Sequence, residues 1–267
     1  MGKLMQIYAI GDIHGQLDML KAAHDRINRD IAATGIKATV VHLGDLVDRG
    51  PDSRGVIEYL MEGIDQGQDW IVLRGNHDRM FQRFVETGVD TDTRISSGIG
   101  YFDRRIGGVK TLESYGVSAS EDGDMNAIQI AAQAAVPAAH LAFMRSLPLT
   151  HQHEGLLFVH AGIRPGVALE QQSEDDLIWI RAGFLTHRGS FGPLVVHGHT
   201  ALFRPLHYGN RVDLDSAAGY GEPMTAAVFD GDQVFVLTDA GRVPIEHAEI
   251  PTSLPVPDAY VRVSRAG

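Results

Sequence analysis

The chain has 267 residues, of which 44% are hydrophobic and 21% charged, and its formal net charge is −11. That is the length of one large domain or two small ones, with the composition of a folded protein and not a disordered one. The acidic balance argues against a nucleic-acid binder, which needs a basic footprint. A small anionic substrate at a locally positive site is compatible with it.

There is no cysteine, which excludes a disulfide framework, a thiolate zinc site and a cysteine nucleophile. The opening "MGKLMQIYAIGDIHG" lacks the apolar region and cleavage site of a signal peptide, and no apolar run approaches a membrane span. The expectation is a cytoplasmic location with no membrane partner and no nucleic-acid partner. The sequence carries no signal for an oligomeric state.

In chain order, residues 7–10 form a short apolar run stopped by Gly11, which predicts a strand. Residues 17–31 carry Leu17, Leu20, Ala23, Ile27 and Ile31 at helical spacing. A second buried strand is predicted over 39–43. Asp52 or Ser53 then caps a helix running to about Gly63, with Val56, Ile57, Leu60 and Ile64 facing inward. A third strand is predicted over 71–73. Strands alternating with helices imply a largely parallel sheet.

From about 80 to 147 the character changes. The polar, glycine-rich stretches "TGVDTDTRISSGIG" and "SASEDGDMN" surround helices predicted at 128–135 and 138–146. This region reads as a helical, cap-like insertion over the sheet, within a single domain spanning 1–267. Further strands are predicted at 156–159, 194–196, 211–214, 226–229 and 234–237. His151 and His153 precede a strand and read as solvated, and the tail from Pro251 reads as loosely packed. There is no internal repeat.

The suggestive polar residues fall just after these strands. They are "GDIHG" with Asp12 and His14, "GDLVDRG" with Asp45, Asp48 and Arg49, "RGNHD" with Arg74, Asn76, His77 and Asp78, "HAG" with His160, and "HGHT" with His197 and His199. In open α/β sheets the carboxyl ends of the strands form the ligand crevice. Taken singly, each motif has a plainer reading: a turn and cap for Asp-x-His, an Asx-turn for Asn76, solvated imidazoles for "HGHT". "GDIHG" also lacks the third glycine of a dinucleotide fingerprint. Those readings do not explain why all five recur after strands. Carboxylate, imidazole and amide oxygen without thiolate suit Mn, Fe, Zn or Mg. There are more donors than one ion needs, so a pair of cations is the natural reading.

In this order the motifs resemble those of the phosphoprotein phosphatase family of metallophosphoesterases, in its bacterial serine/threonine phosphatase-like branch. They span residues 11–200, and "TLESYG" (111–116) and "EQQSEDDLIWIRAGF" (170–184) add to the likeness. The resemblance implies an α/β fold, a metallophosphoesterase-type layered α/β/β/α sandwich with mixed sheets and a helical insertion. It implies two divalent metal ions, Mn²⁺ first, with Fe or Zn as alternatives, bound by Asp12, His14, Asp45, Asn76, His160 and His199. Asp45 would bridge them. His77 would be the general acid, paired with Asp48, and Arg49, Arg74 and Arg181, with Asn76, would hold the phosphate.

The activity implied is hydrolysis of phosphoserine or phosphothreonine in proteins by direct attack of a metal-bridging hydroxide. The alternative is a diadenosine tetraphosphatase-like nucleotide pyrophosphohydrolase using the same site. After "HAG" the chain continues "IRPG" (163–166), and not with the Pro-Gln-Trp-Asp of the symmetrical tetraphosphatases. The partner expected is therefore a phosphoprotein or a small phosphorylated substrate. Where bacterial relatives carry "DTGA", this chain has "DLDSAAGYG" at 213–221, which predicts a rearranged loop.

Overall fold

The computed structural model describes residues 6–254 except Ser96. The predicted tail lies outside the described residues from 255 onward. In chain order the elements are β1 (Gln6–Ile10), α1 (Leu17–Thr34), β2 (Val40–His42), α2 (Ser53–Asp65), β3 (Trp70–Val72), α3 (Asn76–Thr87), α4 (Gly108–Ser114), α5 (Met125–Ala135) and α6 (Ala138–Ser146). They continue with β4 (Thr150–His153), β5 (Leu156–Val159), α7 (Glu174–Trp179), β6 (Leu194–His197), β7 (Leu206–His207), β8 (Arg211–Asp213), β9 (Ala226–Asp230), β10 (Gln233–Thr238), β11 (Gly241–Pro244) and β12 (Glu246–His247).

Two six-stranded sheets result, ordered β11-β10-β9-β1-β2-β3 and β12-β7-β8-β6-β5-β4. The two-residue period of a strand decides which layer each side chain joins. On β1, Ile7 and Ala9 face the second sheet and pack with Phe158, Val196, Val212 and Phe229. Tyr8 and Ile10 face the other way, into a core with Leu20, Val56, Ile57 and Leu60 from α1 and α2. On β5, Phe158 joins the inter-sheet layer while Leu157 and Val159 pack outward with Leu177, Ile178 and Phe184. The layers are therefore α/β/β/α with two mixed sheets, as expected.

The sheets are less parallel than the strand-helix alternation suggests. The strands β1-β2-β3, β5-β6-β8 and the short β7-β12 pair run parallel, while β9, β10 and β11 pair antiparallel. His151 and His153 lie in β4, an edge strand antiparallel to β5, and not in a loop before a strand. Helix α2 is capped by Asp52, which accepts from the Gly55 amide at 2.8 Å. It runs past Gly63, and Ile64 is 37% exposed instead of facing inward. Helix α3, absent from the sequence reading, begins at Asn76, so the segment after residue 80 continues an element that starts in the "RGNHD" motif. Phe81, Phe84, Tyr101, Leu112 and Met144 of that segment share one core with Tyr8 and Ile10.

Register lines the strand ends up. Ile10 pairs with His42 and His42 with Val72; Phe158 pairs with Val196, and His197 with Asp213. The loops that leave these strands therefore open at a common end.

Candidate active site

Those loops have strained backbones. The described non-glycine residues with positive φ are His14, Asp45, Asp48, Arg49, His199, Ala217 and Glu154. The first five are residues the motifs singled out. Such conformations cost on the order of 1–3 kcal/mol each and persist only where surrounding contacts over-determine them. Gly44 turns the chain with φ 97°, and a Cβ there would lie 2.7 Å from the Gly75 amide nitrogen. Only glycine allows the "GDLVDRG" and "RGNHD" loops to touch there.

Asp45 sits at the centre. Its carboxylate oxygens lie 3.6 Å from His14 Nε2, 3.4 Å from His160 Nε2 and 4.0 Å from His77 Nε2. Two buried groups of possible ligand atoms follow, His14–Asp45–His77 and Asp45–His160–His199, each with all atoms within 4.8 Å. Asp45 belongs to both. Asp12 reaches the same place, with Oδ2 4.0 Å from His14 Nε2 and both oxygens accepting from the His199 amide at 3.2 and 3.1 Å.

Hydrogen bonds fix the imidazole tautomers. His14 Nδ1 lies 2.9 Å from the Val47 carbonyl, and His160 Nδ1 lies 2.8 Å from the Leu43 carbonyl. A carbonyl only accepts, so each Nδ1 carries a hydrogen, and in the neutral ring each Nε2 presents a lone pair toward Asp45. Lone pairs facing a carboxylate at this range repel unless a cation or proton stands between them. His199 Nε2 is buried without a partner. Asn76 Oδ1 is 3.0 Å from His160 Nε2; rotating its amide would instead turn the N–H₂ toward His160 and His199. A cation would select the oxygen-inward orientation. The donors present thus fit a pair of divalent cations, and Nδ1–H bonded to a carbonyl is the usual support of a metal-binding imidazole.

The charges agree. Burial would raise Asp45, but His160, His77 and His14 around it hold it well below the ordinary carboxylate range. Burial would lower His160, and Asp45 beside it carries it above its ordinary value. Asp12 is pushed well above its ordinary value by burial and by the charges of Asp215 and Asp45. Excess buried negative charge of this kind is relieved by bound cations.

The other predicted residues separate into two sets. His77 Nδ1 is 2.7 Å from Asp48 Oδ2, the expected pair. Arg49 reaches His14 Nε2 at 2.5 Å and His77 Nε2 at 3.1 Å, and Arg181, just after α7, donates to the His199 carbonyl at 2.8 Å. Arg74 is held elsewhere: it donates to Gln82 at 2.6 Å and pairs with Glu174 at 3.5 Å, so its guanidinium is engaged by α3 and α7. His197 donates from Nδ1 to the Gly198 carbonyl at 2.9 Å and sits 4.0 Å from Asp213. Asp78 is buried as a structural brace, accepting from the Gly75 and Leu46 amides at 2.8 Å each.

Sequence reasoning missed Asp213 and Asp215. Both are buried, and Asp215 follows β8, the same position after a strand that marked every other motif. Position after a strand is the signal that marks Asp215; the sequence reading of 213–221 is a rearranged loop, with no residue in it assigned a role. It also missed Tyr101, and it gave no role to Thr111, the first residue of "TLESYG"; both contact Asp48. The likeness of "TLESYG" was the signal for Thr111, whereas no periodicity or spacing marks Tyr101.

The sequence model of the calcineurin-like phosphoesterase family matches residues 5–224. The chain is 26% identical over 227 residues to serine/threonine-protein phosphatase 1 of Salmonella typhimurium, covering 83% of this chain and 90% of that one. It is 23% identical over 282 residues to the asymmetrical bis(5'-nucleosyl)-tetraphosphatase PrpE of Bacillus cereus, covering 97% of this chain and all of that one (100%). Among solved structures, the cold-active protein-tyrosine phosphatase of a psychrophilic Shewanella superposes with TM-score 0.56 at 14% identity, over 91% of this chain and 81% of that one, a likeness of fold alone. Family match, layered fold and clustered ligand residues agree: the chain belongs to the calcineurin-like phosphoesterases and is a hydrolase of the metallophosphoesterase class.

Proposed function

We propose that this protein is a phosphomonoesterase that holds two divalent cations and acts on phosphoserine or phosphothreonine in proteins. The observation that carries the reading is Asp45, buried and shared between two ligand groups, with the His77–Asp48 pair beside it. Asp12, His14 and Asp45 would hold one cation, and Asp45, Asn76, His160 and His199 the other. When bound, such a pair supplies an ionised water and neutralises charge on phosphate oxygens. The imidazole, carboxylate and amide set suits Mn²⁺, with Fe or Zn as alternatives.

The chain's own groups do the rest. Arg49 and Arg181 offer planar guanidinium forks to the phosphate oxygens. His77 would act as general acid toward the departing oxygen through Nε2, while Asp48 keeps Nδ1–H in place. Arg74, bound to Gln82 and Glu174, would act by fixing α7, after which Arg181 emerges. The "IRPG" continuation and the Salmonella relative's name support the phosphoprotein side.

A second reading, a nucleotide pyrophosphohydrolase, is favoured by one rim feature. Tyr220 is 47% exposed and its ring lies 4.8 Å from the Arg49 guanidinium carbon, an aromatic face beside the site on which a base could stack. Full-length similarity to PrpE adds to it. The deciding experiment is steady-state kinetics with Mn²⁺ on phosphoserine and phosphothreonine peptides and on diadenosine tetraphosphate, at one ionic strength. Higher kcat/KM on a phosphopeptide is expected. Cleavage of the dinucleotide about tenfold more efficiently than every phosphopeptide would replace the first reading with the second.

A further inference from the structure

Asp48 is fully buried, and its carboxylate is held from two directions. Oδ2 meets His77 Nδ1 at 2.7 Å. Oδ1 accepts from the Tyr101 hydroxyl at 2.7 Å and from the Thr111 hydroxyl at 2.6 Å. Both hydroxyls come from the middle segment that reads, by sequence, as a cover.

The partners of each group indicate who donates. Arg49 offers only N–H groups, so its 3.1 Å contact makes His77 Nε2 a bare acceptor in this arrangement. The ring hydrogen is then on Nδ1, and Asp48 Oδ2 accepts it. The Asp48 amide donates to Thr111 Oγ1 at 2.8 Å and to Ser53 Oγ at 3.1 Å; with the Ser53 hydroxyl, 3.0 Å away, donating to Thr111, the threonine hydrogen goes to Asp48 Oδ1. The second hydrogen on Oδ1 comes from Tyr101. Burial and the charge of Asp48 push the Tyr101 hydroxyl well above its ordinary pKa, so it stays protonated.

The same segment also grips Arg49. The Arg49 amide donates to the Gly107 carbonyl at 3.3 Å, and its Nε to the Arg105 carbonyl at 3.2 Å. Asp48 and Arg49 both hold left-handed backbones, φ 74° and 67°. Tyr101 is itself anchored: its amide donates to the Asp90 carbonyl at 2.6 Å, and its ring stacks with Phe84 at 5.8 Å.

We propose that Tyr101 and Thr111 are positioning residues: they fix the Asp48 carboxylate, and through it the orientation of His77, making the 80–147 segment part of the catalytic apparatus. The effect on turnover rests on the phosphomonoesterase reading above; the effect on the His77 ring does not. Tyr101→Phe keeps the packed ring and removes one hydrogen bond. Thr111→Val removes the other, and Thr111→Ser restores it.

The test joins kinetics to a spectroscopic reading on the zinc-loaded protein, zinc being diamagnetic. The His77 Hδ1 proton resonance, identified by its loss in His77→Asn, is expected to shift or broaden in Tyr101→Phe and in Thr111→Val, and to stay in place in Thr111→Ser. On a phosphoserine peptide, kcat should fall about 10–100-fold with KM little changed, the range for loss of a supporting partner. Nitrophenyl phosphate, whose leaving group needs little protonation, should lose less. An unmoved Hδ1 resonance in both Tyr101→Phe and Thr111→Val, or equal kcat losses on the two esters, would overturn the proposal. If the unaltered enzyme cleaves neither ester, the phosphomonoesterase reading fails by itself, and the resonance still decides the positioning.

Discussion

Two buried histidine clusters lie near the carboxyl end of β2, and they have different chemistry. Beyond the carboxyl end, His14, His77, His160 and His199 surround Asp45, with Asp12 beside them. At the last residue of the strand, on the side that faces α1, His42 meets His24, Nε2 to Nε2 at 3.0 Å, and His24 stacks on Trp70 with centroids 4.3 Å apart. That second pair has its tautomers assigned as well. His42 Nδ1 donates to the Ile71 carbonyl at 3.1 Å, so its Nε2 accepts from His24. No carboxylate is hydrogen-bonded to either ring among the described residues, and burial drives His24 down to about 2 and His42 to about 4. Imidazoles alone, then, make a neutral packed pair. Carboxylates in the same burial make a site that requires cations.

The largest expected effect breaks the first cluster at its shared member. Asp45→Asn should lose most bound metal and nearly all activity, read by elemental analysis of the purified variant together with kcat. Two metals per chain at normal turnover would remove Asp45 from the centre.

Next, His77→Asn should keep both metals and slow turnover by roughly 10²–10⁴-fold, the usual contribution of a general acid. Comparing alkyl and nitrophenyl esters checks the role. Equal losses on both would mean that His77 positions phosphate and transfers no proton.

The second cluster should show in stability and not in catalysis. The ordinary value of both rings is 6.5, and folding lowers it. Their stabilising contribution is whole above that pH and falls away as pH drops toward 4, at roughly 1 kcal/mol per pH unit for each ring. His24→Phe removes one titrating ring facing Tyr59, Trp70 and His42. Urea unfolding at several values between pH 6.5 and 4.5 should show a shallower loss of stability in the variant. Parallel curves would show that the pair does not titrate as folding demands.

The smallest change to function comes from Trp70→Ala. It should cost about 2 kcal/mol, less than for a fully buried tryptophan, because Trp70 is half-buried. Metal content and kcat should stay within twofold of the unaltered protein. A marked loss of either would couple the two clusters.

By itself the sequence determined the parts whose information is local. An apolar run followed by glycine and a polar cluster marks a strand and the loop that leaves it, so β1, β2, β3, β5 and β6 and the residues Asp12, His14, Asp45, His77, His160 and His199 were legible. Amphipathic spacing did the same for α1 and α2. Tertiary structure decided what depends on contacts between distant segments. Pairing with β1 and β10 makes β9 antiparallel, which no local pattern encodes. Arg74 turned to Glu174 because α7 packs beside α3, 100 residues away in sequence by their numbers. Asp48 gained Tyr101 and Thr111 because the middle segment folds back on its loop, with hydrogen bonds spanning 53 and 63 residues. A hydroxyl in a polar, glycine-rich stretch looks the same to the sequence whether it faces water or a buried carboxylate, and only the packed chain distinguishes them.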